Sequence, residues 1–233
     1  MPLGPECGSC RSERSLRLCV MTAPSETAVL HHVPYYAQWE SADLVPAIIG
    51  REIDAADDPL WQKSGADSAE EYAFWSWRLC GVACLRMALD HWRGTTPTAL
   101  SLAADCVAAG AYVRHEDRVD GLIYAPFAAY VRQRWGLRAE SRPELTTGQV
   151  RDEVTAGALV MLSVHASIRD LGAAPPRRGG HLVLAVGVTD EAIVVHNPSG
   201  FPGVSQRFTH IPWSELDRFY AGRGVVLAER PPS

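Results

Sequence analysis

Apolar residues recur along this chain with two different periods, and the change between them divides it. From Cys80 the spacing of Ala83, Cys84, Met87, Ala88 and Trp92 is helical and predicts a helix over 80–93, stopped by Gly94. Thr95-Thr96-Pro97-Thr98 opens a second helix over 98–110, and a third covers 123–135 and ends at Gly136. Upstream, the pattern predicts a strand over 29–36 and short helices over 43–50 and 68–77. Downstream, it predicts a strand over 137–141 and a short helix over 147–156. Beyond residue 157 the apolar residues come in short Val- and Leu-rich runs. These predict strands over 158–165, 181–188, 192–197, 206–210 and 224–228, with a helix over 212–220 between the last two. The expected class is α+β: a helical first part packed on an antiparallel sheet, with a cleft where the two meet.

Composition narrows the partners. The chain has 233 residues, 47% hydrophobic and 21% charged, with a net charge of -5. That is ordinary for a globular protein, and it argues against a nucleic-acid partner, which calls for a basic surface. No run of 18 apolar residues spans a membrane, and no apolar core of a secretory signal opens the chain. The expectation is a cytoplasmic protein with reduced thiols. Residues 1–24, rich in Pro, Gly, Ser and Arg, read as a disordered tail before one domain over 25–233. Within that domain 41–76, broken by Asp57-Asp58-Pro59, reads as an insertion.

The candidate chemistry begins with six cysteines and eight histidines. Cys7-x-x-Cys10 has half the spacing of a zinc site, but only Cys19 lies near it, so no metal is expected. Cys80 stands where an irregular aromatic segment gives way to a helix. A thiol there feels the positive end of the helix dipole, which favours thiolate, the form a cysteine nucleophile needs. The competing reading is a small packing thiol, the role expected of Cys84 one turn on. Among the histidines, His181 follows Gly179-Gly180 and opens a strand, and the next strand ends in Asn197-Pro198-Ser199-Gly200. A hairpin centred on Thr189 sets His181 directly opposite Asn197 on one face and turns His196 to the other.

Cys80-Gly81-Val82-Ala83 at a helix start, Gly180-His181 at a strand start and Asn197-Pro198 at a strand end resemble the papain-like cysteine peptidases. The nearest likeness is to the bacteriocin-processing, double-glycine leader peptidases and their stand-alone relatives, whose strand motif before the helix is similar to Val33-Pro34-Tyr35-Tyr36-Ala37-Gln38-Trp39. The resemblance runs over about 29–230. It implies Cys80 as nucleophile, His181 as general base and acid, Asn197 as the group orienting the imidazole, and Gln38 as side-chain donor to the oxyanion. Gln62 is a second candidate for that donor. No cofactor is implied, and the expected partner is a peptide or an amide-containing small molecule.

Three functions stay open on sequence. One is hydrolysis of a peptide or amide through a thioester. Another is transfer of the same acyl group to an amine, and the third is a catalytically silent peptide-binding module. The inserted segment and loop 166–180 are expected to border the cleft, with Arg169, Arg177 and Arg178 as candidates for a substrate carboxylate. Phe74, Trp75 and Trp77 fit either the cleft wall or the core.

Overall fold

A computed structural model describes residues 28–230. The expected tail, with Cys7, Cys10 and Cys19, lies outside the described residues. In chain order the elements are β1 (Val29–Leu30), α1 (Val45–Ile49), α2 (Ala69–Ser76), α3 (Cys80–Arg93), α4 (Ala99–Ala108), α5 (Tyr124–Trp135), β2 (Arg138–Arg142), α6 (Thr147–Thr155), β3 (Leu159–Val164), β4 (His181–Val188), β5 (Ala192–His196), β6 (Thr209–Pro212), α7 (Trp213–Phe219) and β7 (Tyr220–Ala228). Among the described residues the strands form one antiparallel sheet in the order β2-β7-β3-β4-β5-β6, with β1 added beside the end of β4. No described helix is long and apolar enough to cross a membrane.

Alternation along the strands builds two cores, one on each face. Met161, Leu182, Leu184, Val186, Val225 and Leu227 face α3, α4 and α5, while Leu162, Val183, Ala185, Val195 and Val226 face α6 and α7. Helix α3 is buried all round from Gly81 to Leu89, so it forms the centre of the first core and is no surface helix. Its one buried charge, Arg86, pairs with Glu40 at 2.8 Å and lies over the Tyr36 ring.

Residues 41–76 close a smaller core with Ala37 and Trp39. The fully buried Asp58 carboxylate organises it, accepting hydrogen bonds from Ser41 N–H and Oγ–H, Leu60 N–H and the Tyr72 hydroxyl. Tyr72 Oη in turn accepts from Glu40 N–H at 2.8 Å. This ties the segment to the stretch that carries Gln38.

Three predicted strands differ from the observed ones. The strand over 29–36 ends at Leu30, because Pro34 has no N–H for a ladder and His196 takes the Val33 carbonyl. The strand over 206–210 starts only at Thr209, because Phe208 sits at φ 47 and the Gln206 carbonyl is taken by Asn197 N–H. The strand over 224–228 begins at Tyr220. Gly222 and Gly224 look like breakers, yet a Cβ at 224 would lie 2.1 Å from the Met161 carbonyl oxygen, so that glycine lets β7 approach β3.

Candidate active site

Cys80 starts α3 immediately after a tight turn, Trp77-Arg78-Leu79, that joins it to α2. The next residue must be small: a Cβ at Gly81 would meet Leu122 Cδ2 at 2.7 Å and Leu182 Cδ1 at 3.2 Å. The helix start is therefore pressed between loop 111–123 and β4. Leu182 fixes the contact on both sides of its peptide. Its N–H reaches the Cys80 sulfur, and its carbonyl oxygen accepts from Cys84 Sγ at 3.9 Å. Cys80 is partly exposed on the wall of a ≈490 Å³ cavity, whereas Cys84 is fully buried.

His181 opens β4, is 6% exposed, and lines the same cavity as Cys80. Its partner is Asn197, with Nε2 2.9 Å from Oδ1. The direct cross-strand opposition predicted from the turn is not what joins them. A register shift between Ala185 and Gly187 sets Leu184 opposite His196, which puts Asn197 in line with Val183. The two residues are diagonal neighbours on one face, a separation that a side-chain hydrogen bond can cross. His196 has the other parity, as expected. It is fully buried, with Nδ1 accepting from Phe208 N–H and Nε2–H donating to the Val33 carbonyl.

The hydrogen bonds around Asn197 determine which nitrogen of His181 carries the proton. Ser199 N–H donates to Asn197 Oδ1 at 3.1 Å, so that atom is the oxygen, and it can only accept from His181. Nε2 therefore holds the hydrogen and Nδ1 holds a lone pair, with no partner among the described residues. Gly200 locks the turn, since a Cβ there would lie 2.0 Å from the Ser205 carbonyl oxygen. Ser199 Oγ lies 3.1 Å from His181 Nε2 and accepts from Arg169 Nη2 at 3.1 Å. No sequence pattern singles out Ser199, because the turn at Asn197 needs only a backbone N–H two residues on, which any residue but proline supplies.

Burial works against the expected thiolate. Burial pushes the Cys80 thiol up, and backbone hydrogen bonds from Leu182, Gly81 and Cys80 itself oppose this without reversing it. Burial also pulls His181 down to about 4, with Arg169 and His165 adding to the effect and Asn197 opposing it. Both shifts favour the neutral form of the group. Desolvation is the largest cause for both groups.

Gln38 is buried off the cavity wall. Its N–H donates to the Pro198 carbonyl and its Nε2 to the Ser76 carbonyl at 3.1 Å, while Oε1 has no partner among the described residues. It thus bridges the segments that lead into Cys80 and out of Asn197. Gln62 is exposed on a short 3-10 helix away from the cavity.

The cavity walls differ from those expected. No residue of 41–76 lines it, and of loop 166–180 only Gly180 does. The walls come instead from Tyr112, Val119–Leu122, Tyr124, Ala125, Ser141, Ser163 and Arg223, which no local pattern singles out. Trp77 lines the cavity, Trp75 is core against Tyr112, and Phe74 stacks under Arg78.

A family model described as Peptidase_C39 like family matches residues 31–224. Solved structures similar to this chain include the peptidase domain of Streptococcus ComA, a bi-functional ABC transporter involved in a quorum sensing pathway. It shares 14% identity over 66% of this chain and 93% of that one, with a TM-score of 0.46. A C39-like peptidase from Bacillus anthracis shares 15% identity over 66% and 90%, with a TM-score of 0.49. A double glycine motif protease from an AMS/PCAT transporter, solved in complex with the leader peptide, shares 16% over 65% and 84%, with a TM-score of 0.41. No curated protein matches the chain. The family match takes in α3 with its cysteine and the strands bearing His181 and Asn197, so the chain belongs to the Peptidase_C39 like family, in the α+β, papain-like class that its sequence predicts.

Proposed function

We propose that this protein is a cysteine hydrolase that cleaves a peptide or amide bond through a thioester at Cys80. The observation that carries the reading is the hydrogen bond between His181 Nε2 and Asn197 Oδ1. Asn197 Oδ1, fixed by Ser199 N–H, holds the proton on Nε2 and leaves the Nδ1 lone pair available in the cavity that Cys80 lines. In this reading Cys80 Sγ attacks the carbonyl carbon as its proton passes to His181 Nδ1. The C–N bond then breaks, and Nδ1–H returns the proton to the departing amine. Water next attacks the thioester, giving its proton to Nδ1, and Sγ leaves. In this reading the proton transfer accompanies attack, in keeping with burial that favours the neutral form of both groups.

Negative charge on the carbonyl oxygen needs donors. Backbone N–H groups at the start of α3 are suited to it, and Gln38 Nε2 keeps one hydrogen beyond the one given to Ser76. The peptide substrate is supported by family membership and by the leader peptide seen with one similar protease.

The test uses a proteome-derived peptide library with blocked amino termini. We expect new amino termini with the wild-type protein and none with Cys80→Ala. Equal numbers from both proteins would contradict the reading. New termini that appear only when an added amine captures the acyl group would assign the protein to acyl transfer.

A further inference from the structure

The two glycines before His181 leave space that two arginines fill. A Cβ at Gly179 would lie 3.1 Å from Ser163 Oγ and 3.2 Å from Arg223 Nη2, and one at Gly180 would lie 3.2 Å from Arg177 Nη2. Both glycines are at positive φ, 80 and 97, where a side chain is strained, and the space beside each is tight. Ser163 and Arg223 also line the Cys80 cavity.

The charges nearby are otherwise engaged. Arg78 donates to the Phe74 carbonyl and stacks on its ring, Arg169 is held by Ser199 and Ala166, and Asp120 is held by His115 and Arg118. Arg223 and Arg177 form no hydrogen bond or ion pair with any described residue. A guanidinium and a hydroxyl that crowd one point on a cavity wall present N–H and O–H donors to the same acceptor, and a carboxylate matches them.

We propose that Arg223 and Ser163 form a carboxylate subsite of the Cys80 cavity, so that the substrate carries a carboxylate next to the carbonyl under attack. This rests on the hydrolase reading and assigns its substrate class. Arg223, unpredicted from sequence, takes the role considered there for Arg169, Arg177 and Arg178.

Two N-acetyl dipeptidyl vinyl sulfones that differ only as Asp or Asn at the residue bearing the electrophile would test it, with Cys80 labelling followed by mass spectrometry. A second arm would use neutral tripeptides ending in a free carboxylate or an amide to protect Cys80 from the Asn probe. One arm reports an acidic side chain, the other a chain terminus. We expect a preference of about tenfold for the carboxylate member of at least one pair, falling to about one in Arg223→Gln and weakening with added salt. Arg223 is exposed, and melting temperature checks that the variant folds. No preference in either arm, or a preference that survives Arg223→Gln, would overturn the subsite. If the Asn probe labels Cys80 no faster than Cys84, the hydrolase reading itself fails.

Discussion

At the scale of single residues, Asn197 does two things. Its side-chain oxygen accepts from His181 Nε2 and from Ser199 N–H, and the second bond removes the ambiguity of the amide. Replacing it by alanine frees the imidazole to rotate and to adopt the other tautomer. We expect Asn197→Ala to lower turnover by roughly 100-fold, since general acid–base catalysis is worth about that much or more. Ser199→Ala keeps the backbone N–H and loses only the hydroxyl, so a loss of no more than about tenfold is expected. Steady-state kinetics on one peptide substrate would rank the two. Burial of His181 also has a consequence for stability. Its folded pKa of about 4 lies below the ordinary histidine value, so between about pH 6.5 and 4 the unfolded chain binds the extra proton and the folded one does not. Stability is therefore untouched above that window and falls as pH drops through it, by about 3 kcal/mol. Denaturant unfolding of wild type and His181→Gln across pH 7 to 4 would show the difference. His196, also lowered by burial, acts in the same direction and is common to both proteins.

At the scale of elements, α3 was legible end to end: periodic apolar residues, Gly94 at φ 69 as its stop, and the observed bounds Cys80–Arg93. Strand β4 was equally legible, because a strand buried on both faces is written as an unbroken apolar run. Register was not. The shift between Ala185 and Gly187 lies where β1 packs onto the end of β4, and a Cβ at Gly187 would lie 2.6 Å from the Val29 carbonyl oxygen. No turn count predicts that contact. Parity still survived, which is why the pairing of His181 with Asn197 was reached from an imperfect register. The burial of α3 on all sides has its own cost. Arg86 sits in the core only because Glu40 neutralises it, and Glu40→Ala leaves a buried charge without a partner. A loss of about 3 kcal/mol is expected from chemical denaturation, the usual effect of removing one member of a buried pair. A change below about 1 kcal/mol would mean that solvent reaches Arg86.

At the scale of the whole molecule, the site exists because distant segments meet at one helix start. The candidates Cys80, His181 and Asn197 each carry a local mark in the sequence: a helix boundary, a glycine pair, a turn. The cavity walls carry none. Tyr112, Leu122 and Arg223 reach the cavity through chain folding over long separations. Segment 41–76 was expected at the cleft and instead packs around Asp58, beside the stretch that holds Gln38. A buried acid in a short Asp-Asp-Pro loop does not announce from sequence which partners it will find. The same long-range packing places Cys80 on a cavity wall and Cys84, one turn away, in the core. This makes the second thiol a control for the first. The most direct measurement is a brief pulse of iodoacetamide near pH 7.5, with carboxamidomethylation of Cys80 and Cys84 counted by peptide mass spectrometry in wild type and His181→Ala. We expect Cys80 to react roughly 100-fold faster than Cys84 and to lose at least about tenfold of that rate without the imidazole. Equal rates at the two thiols, or a Cys80 rate indifferent to His181, would contradict the assignment of Cys80 and His181 as nucleophile and base.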